Sequence, residues 1–253
     1  MKRSLALIAV LLLAVPLFAE TERVLLPIFS PPVFGAHGSR FFTELYIGNP
    51  GTTPVTIRNL EEVCKSICPG VPFPEHPVEL APGAQLTPND VKPTGNPGRF
   101  LILEGDDVDP ISMNLRVRNI SENAVDYGAE IPVVRESEFR INEIVFYGVP
   151  SDPNFRNMLR VYSIAPVDVL VTVEHEFVHD PLPVRVRLTG VTDILDPAYG
   201  VFTAFPKSVG AVKVRIVADP DFVSLLPIEI QLWAFITVTN NTTNAISTIT
   251  PQP

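Results

Sequence analysis

The chain reads as an all-β protein built from two related sandwich domains in tandem. Three observations predict this: scattered proline, short β-branched and aromatic runs between the prolines, and landmarks that recur in the same order in both halves. Proline accounts for 27 of 253 residues, about twice the usual share of roughly 5%. Proline interrupts helices and central strands and is tolerated in turns and on strand edges. Many short strands separated by Pro- and Gly-bearing turns indicate a sandwich. With 46% hydrophobic residues there is material for two cores, so the chain is not a disordered tail.

The N-terminus predicts export. Lys2 and Arg3 form a positive head, Leu5 to Val15 an apolar stretch, and Pro16-Leu17-Phe18-Ala19 a cleavage region ending in a small residue. The apolar run is too short to span a bilayer, so residues 1–19 read as a signal peptide. No later run is long enough for a transmembrane anchor, and the expected location is periplasmic, cell-surface or secreted. The formal charge of −9 repels phosphate backbones and argues against nucleic acid as a partner.

The repeat sets the organisation. Phe41-Phe42-Thr43-Glu44-Leu45-Tyr46-Ile47 matches Phe155-Arg156-Asn157-Met158-Leu159-Arg160-Val161 as an aromatic, an aliphatic four residues on, and alternation into a polar turn. Val55 and Ile57 fall on Val169 and Val171. Arg99-Phe100-Leu101-Ile102-Leu103 resembles Val212-Lys213-Val214-Arg215-Ile216, and each run leads to an Asp-Pro turn, at Asp109-Pro110 and Asp219-Pro220. A long strand follows in each half and ends in an asparagine-rich turn, near Asn119 and near Asn240. Matching landmarks in order predict a duplicated domain, spanning 20–135 and 136–253, with the boundary between Pro132 and Ser137.

The pattern aromatic-x-x-x-Leu-x-Ile-x-Asn-Pro, a Val-x-Ile strand, the turn Leu80-Ala81-Pro82-Gly83 and the pair Asp90-Val91 together resemble exported bacterial proteins with tandem immunoglobulin-like repeats. The second half departs from that pattern, with Ser163-Ile164-Ala165-Pro166 in place of Asn-Pro. The resemblance implies two tandem immunoglobulin-like β-sandwich domains at or beyond the cell envelope. It implies no substrate, cofactor or catalytic residue.

Three segments could carry chemistry. Cys64 and Cys68 are the only cysteines, and in an oxidising compartment the expectation is a disulfide closing a small loop. Glu104-Gly105-Asp106-Asp107-Val108-Asp109 offers carboxylates to calcium, although aspartate before proline is also ordinary turn chemistry. His175-Glu176-Phe177-Val178-His179 spells the zinc-protease motif, which needs a helix to bring both imidazoles to one metal. The run before it, Val169-Leu170-Val171-Thr172-Val173, is β-branched, and Pro181 and Pro183 follow. In a strand, residues four apart stand about 13 Å from each other, too far to share a zinc. The expectation is a hairpin arm, with Glu174 facing Arg187, Glu176 facing Arg185, His175 facing Val186 and Phe177 facing Val184. No nucleophile elbow or phosphate-cradling loop is present, and no cofactor is implied.

One strand face stands out. Ile111, Met113, Leu115 and Val117 alternate with Ser112, Asn114, Arg116 and Arg118, apolar in and polar out. In the second half Leu232, Ala234, Ile236 and Val238 keep the inner parity, while Trp233 and Phe235 occupy the outer one. Outward aromatics need a cover: the other domain, a loop or a partner. The function expected from all this is a non-catalytic exported structural or interaction module with a protein or glycan partner. The alternatives are a zinc hydrolase using His175, Glu176 and His179, and a carbohydrate-binding module using aromatic platforms.

Overall fold

A computed structural model describes residues 20–60, 77–91, 93, 98–121, 128–141, 143–175, 181–189, 196–207, 210–223 and 229–251. The leader, Cys64, Cys68 and Glu176 to His179 lie outside the described residues. The all-β expectation holds: the described chain is strands joined by turns, and every strand pairing is antiparallel.

The first half supplies β1 (Glu20–Leu26), β2 (Val33–Phe34), β3 (Arg40–Gly48), β4 (Val55–Arg58), β5 (Val78–Leu80), β6 (Gln85–Leu86), β7 (Arg99–Gly105), β8 (Ser112–Asn119), β9 (Ala129–Ile131) and β10 (Val134–Arg135). These form two sheets, β10-β1-β7-β4-β5 and β2-β3-β8-β9, with β6 added beside β3. The second half supplies β11 (Arg140–Ile141), β12 (Glu143–Pro150), β13 (Phe155–Ser163), β14 (Val167–Glu174), β15 (Val184–Leu188), β16 (Ala198–Phe202), β17 (Ala211–Ala218), β18 (Gln231–Asn240) and β19 (Ile246–Ile249). Its sheets are β12-β17-β14-β15 and β11-β18-β13-β16, with β19 beside β18. No sheet mixes strands from the two halves. The chain crosses from one to the other at Glu136–Glu138, a single helical turn, and at Phe139, whose ring packs 6.1 Å from Phe100.

The two halves repeat each other at the level of register. Leu45 faces Leu115 as Leu159 faces Ile236, and Phe41 faces Asn119 as Phe155 faces Asn240. Ile57 faces Leu103 as Val171 faces Ile216. The long-strand pairings correspond as well, β1·β7 and β3·β8 in the first half against β12·β17 and β13·β18 in the second.

Alternation explains the layering. Strand side chains point to opposite faces in turn, so Leu45, Ile47, Leu115 and Val117 meet Val55, Ile57, Leu101 and Leu103 in one buried cluster. Leu159, Val161, Ile236 and Val238 meet Val169, Val171, Val214 and Ile216 in a second. Each half is thus two sheets over an apolar layer. Tyr162, Trp233 and Phe235 belong to the first cluster although they come from the second half.

Candidate functional site

The outer face of the β11-β18-β13-β16 sheet holds the halves together and leaves a cleft between them. Across β13 and β18 the outward pairs run Tyr162–Trp233, Arg160–Phe235, Met158–Thr237 and Arg156–Thr239. The aromatic end is sealed. Tyr162 and Phe235 rings stack 6.4 Å apart, and Trp233 lies 6.0 Å from Tyr162. The Tyr162 hydroxyl donates to the Pro27 carbonyl at 2.6 Å, satisfying the one polar atom of a fully buried ring. Burial pushes that phenol above its ordinary pKa, with Arg160 pulling the other way. Gly98 permits the approach: a Cβ there would lie 2.9 Å from the Tyr162 ring and 3.1 Å from the Pro27 carbonyl oxygen. Trp233 (5% exposed) and Phe235 (0%) do leave their sheet on the outer side, and the first half covers them. They are therefore a junction inside the chain and offer no free face or glycan platform.

At the polar end the two halves part. A cavity of about 500 Å³ opens there, floored by Arg156, Met158, Arg160, Thr237 and Thr239. Its opposite wall is Val33, Phe34, Phe41 and Thr43, with Lys207 and Ile246 at the sides. The β2 arm lies close over the wall because residue 35 is glycine; a Cβ there would stand 2.6 Å from the Phe41 ring. Phe34 remains 85% exposed at the mouth, with the Arg40 guanidinium 5.6 Å from its ring centre.

Charge distinguishes the cleft from the rest of the chain. Three cations line it, Arg156, Arg160 and Lys207, and among the described residues no carboxylate does. Arg156 donates to the side-chain oxygens of Asn241 (3.0 Å), Asn244 (3.1 Å) and Ser39 (3.4 Å), tying the second half to the first. Lys207 donates to the Phe155 carbonyl at 2.8 Å. Among the described residues Arg160 reaches only Thr237 Oγ1 at 3.5 Å and the face of Phe235 at 5.8 Å. Burial lowers both arginines from the usual value, because removing a charge from water disfavours it. The repeat gave a sequence signal for this site. Arg156, Met158 and Arg160 stand where the first half has Phe42, Glu44 and Tyr46. There Glu44 answers Arg118 at 2.7 Å, so at these positions the second half puts cations where the first half has none and loses the acid.

The motif segments resolve differently. Glu104 pairs with Arg58 at 2.8 Å, and Asp109 accepts from Arg135 at 3.3 Å. Asp219 takes Arg185 at 2.6 Å, with Asp221 at 3.7 Å. The acidic turns thus serve arginines, and no group of three metal-ligating side chains occurs among the described residues.

For the H-E-x-x-H segment, β14 is extended through Glu174, and His175 follows outside the strand. The pairing expected for this hairpin is wrong. Val171 faces Val184, Leu170 faces Arg185, Val169 faces Val186 and Asp168 faces Arg187. Arg187 bonds Asp168 at 2.9 and 3.2 Å, and Glu174 bonds Lys213 at 2.9 Å on the other neighbour, β17. The slip is an even number of residues, so every side chain kept its face while changing its partner. Glu176 to His179 fall outside the described residues.

Among the described residues no helix is long and apolar enough to cross a membrane. No family model, curated protein or solved structure matches this chain.

Proposed function

We propose that the protein is an exported, non-catalytic binding module that takes its ligand in the cleft between its halves. Each half would be an immunoglobulin-like sandwich unit with its terminal strands exchanged. In the immunoglobulin order the first strand joins the second and the last joins the sixth. Here β1 joins β7 and β8 joins β3. The basic head, apolar stretch and small-residue exit at residues 1–19 support export.

The observation carrying the binding reading is that one continuous sheet face is sealed at the Tyr162 end and open at the Arg156 end. A cavity of that size, mostly apolar with a few converging polar groups, has the form of a small-molecule site. The test is titration with Nile red, a neutral dye that brightens in apolar surroundings. One site per chain is expected. Met158→Trp, which fills the floor, should abolish it, as should Thr237→Phe if the tryptophan variant folds poorly. Binding that survives both fillings would move the site elsewhere and overturn the reading. N-terminal sequencing of envelope or medium protein checks export, and an intact Met1 would refute it. One equivalent of firmly held zinc would restore the hydrolase alternative.

A further inference from the structure

Taking the cleft as the ligand seat, we infer that its ligand is a single-chain amphiphile with an anionic head, seated with the head on Arg160. Three features of the cleft choose this class.

The first is unspent donor capacity. A guanidinium carries five N–H donors and keeps its charge at any physiological pH. Among the described residues Arg160 places one of them, at the long distance of 3.5 Å, on a hydroxyl. Arg156, by contrast, reaches three oxygens. A partly buried charge without a counter-charge is costly to the fold. A carboxylate or phosphate head accepts two parallel bonds from a guanidinium, which matches what Arg160 has left to give.

The second is charge balance. The whole chain carries 28 acidic residues against 19 basic ones, yet the described cleft lining is cationic with no acid among it. A cleft lined by one sign of charge with low-dielectric walls concentrates ligands of the opposite sign. A cationic or zwitterionic ligand would gain nothing there.

The third is the apolar walling beside Arg160. Met158 lies between the two arginines on the floor, and Val33, Phe34 and Phe41 face it across the gap. Arg156 and Arg160 are four residues apart on one strand, about 13 Å, too far for one small head to bridge. The space between is suited to a chain. An inorganic anion would leave that apolar surface wet, and a neutral hydrocarbon would leave Arg160 unanswered.

The experiment is calorimetric titration of the mature chain with dodecanoate, dodecyl phosphate and dodecanol. Both anions should bind once per chain and outdo the alcohol. Arg160→Gln should weaken the anions by about 10- to 100-fold, the value of charge-assisted hydrogen bonds, and leave the alcohol as it was. Arg160→Lys should fall between, keeping charge without the fork. Neither variant should lower the unfolding midpoint, since an unanswered charge is being removed or replaced. Preference between the two anions separates a free fatty acid from a phosphate-headed lipid. If dodecanol matches dodecanoate, or Arg160→Gln leaves both anions unchanged, the head assignment is wrong while the cleft survives. If Nile red also fails to bind, the ligand seat itself falls.

Discussion

Strands β8 and β18 hold the same place in the two halves and agree on one side only. Inward, Leu115 and Val117 correspond to Ile236 and Val238, buried in each case. Outward, Ser112, Asn114 and Arg116 correspond to Trp233, Phe235 and Thr237. On β8 the outer side chains are polar: Arg116 bonds Asn114 at 2.8 Å, and Arg118 bonds Glu44. On β18 Trp233 and Phe235 are aromatic and close over Tyr162 and the first half's core. The two faces of a sheet answer to different neighbours, so one can stay fixed by its core while the other changes its task. Here the change made a junction, and the part of that face the junction leaves open became the cleft.

The largest effect should come from making β18 resemble its counterpart. Trp233→Ser with Phe235→Asn installs the residues β8 carries. Truncating large buried aromatics costs about 3–5 kcal/mol each, with neighbours not strictly additive. We expect urea unfolding to shift by several kcal/mol and to split into two transitions as the halves uncouple. Changing Ser112 to alanine should stay within about 0.5 kcal/mol, as for an exposed polar site. Equal losses on both strands would mean that the junction contributes nothing special.

Gly98→Ala is a smaller intrusion at the same junction. The added methyl meets the Tyr162 ring at 2.9 Å and backbone oxygen at 3.1 Å, and overpacking of this kind costs about 1–3 kcal/mol. Pairing it with Tyr162→Phe sharpens the comparison. That change strands the Pro27 carbonyl without its donor, and the two substitutions should interact because they share one contact. Simple additivity in thermal unfolding would argue against direct contact.

The inner faces were legible in the sequence, because strict alternation and recurrence in a second copy fix parity. The pairings Leu45–Leu115 and Leu159–Ile236 were not, because alternation leaves the choice of partner open. The outward Trp233 and Phe235 were legible as needing cover, but not what covered them, since Pro27 and Gly98 lie far off in the chain. Of the cleft only the β13 arginines left a sequence signal, for a related reason: its walls come from β2, β3, β13 and β18. The hairpin register failed because any even slip preserves every face, and opposite charges recur at even spacing along both arms. Opposite-charge pairs contribute too little to choose among such registers.

A pH experiment tests that corrected hairpin. Hydrogen bonds from Arg187 hold the Asp168 carboxyl below its ordinary pKa. The ordinary value is about 3.9, so its contribution is present above about pH 4 and is lost as pH falls through the lower folded value. Asp168→Asn should reduce stability at neutral pH and make the acid limb of the stability profile shallower below about pH 4. An unchanged acid limb would mean that Arg187 does not hold Asp168 in solution.

The smallest effect is a charge coupling, and it discriminates registers directly. The expected pairing put Glu174 opposite Arg187, whereas the fold puts Asp168 there and sends Glu174 to Lys213 on β17. Double-mutant cycles with Glu174→Gln, Asp168→Asn, Arg187→Gln and Lys213→Gln isolate each pair from its surroundings. Coupling should appear for Asp168 with Arg187 and for Glu174 with Lys213, and should vanish for Glu174 with Arg187. Exposed pairs are weak and screened by salt, so the cycles belong at low ionic strength, where even a fraction of a kcal/mol separates the registers. Coupling between Glu174 and Arg187 would restore the slipped hairpin. It would also bring Glu176 against Arg185 and carry β14 on through the H-E-x-x-H segment.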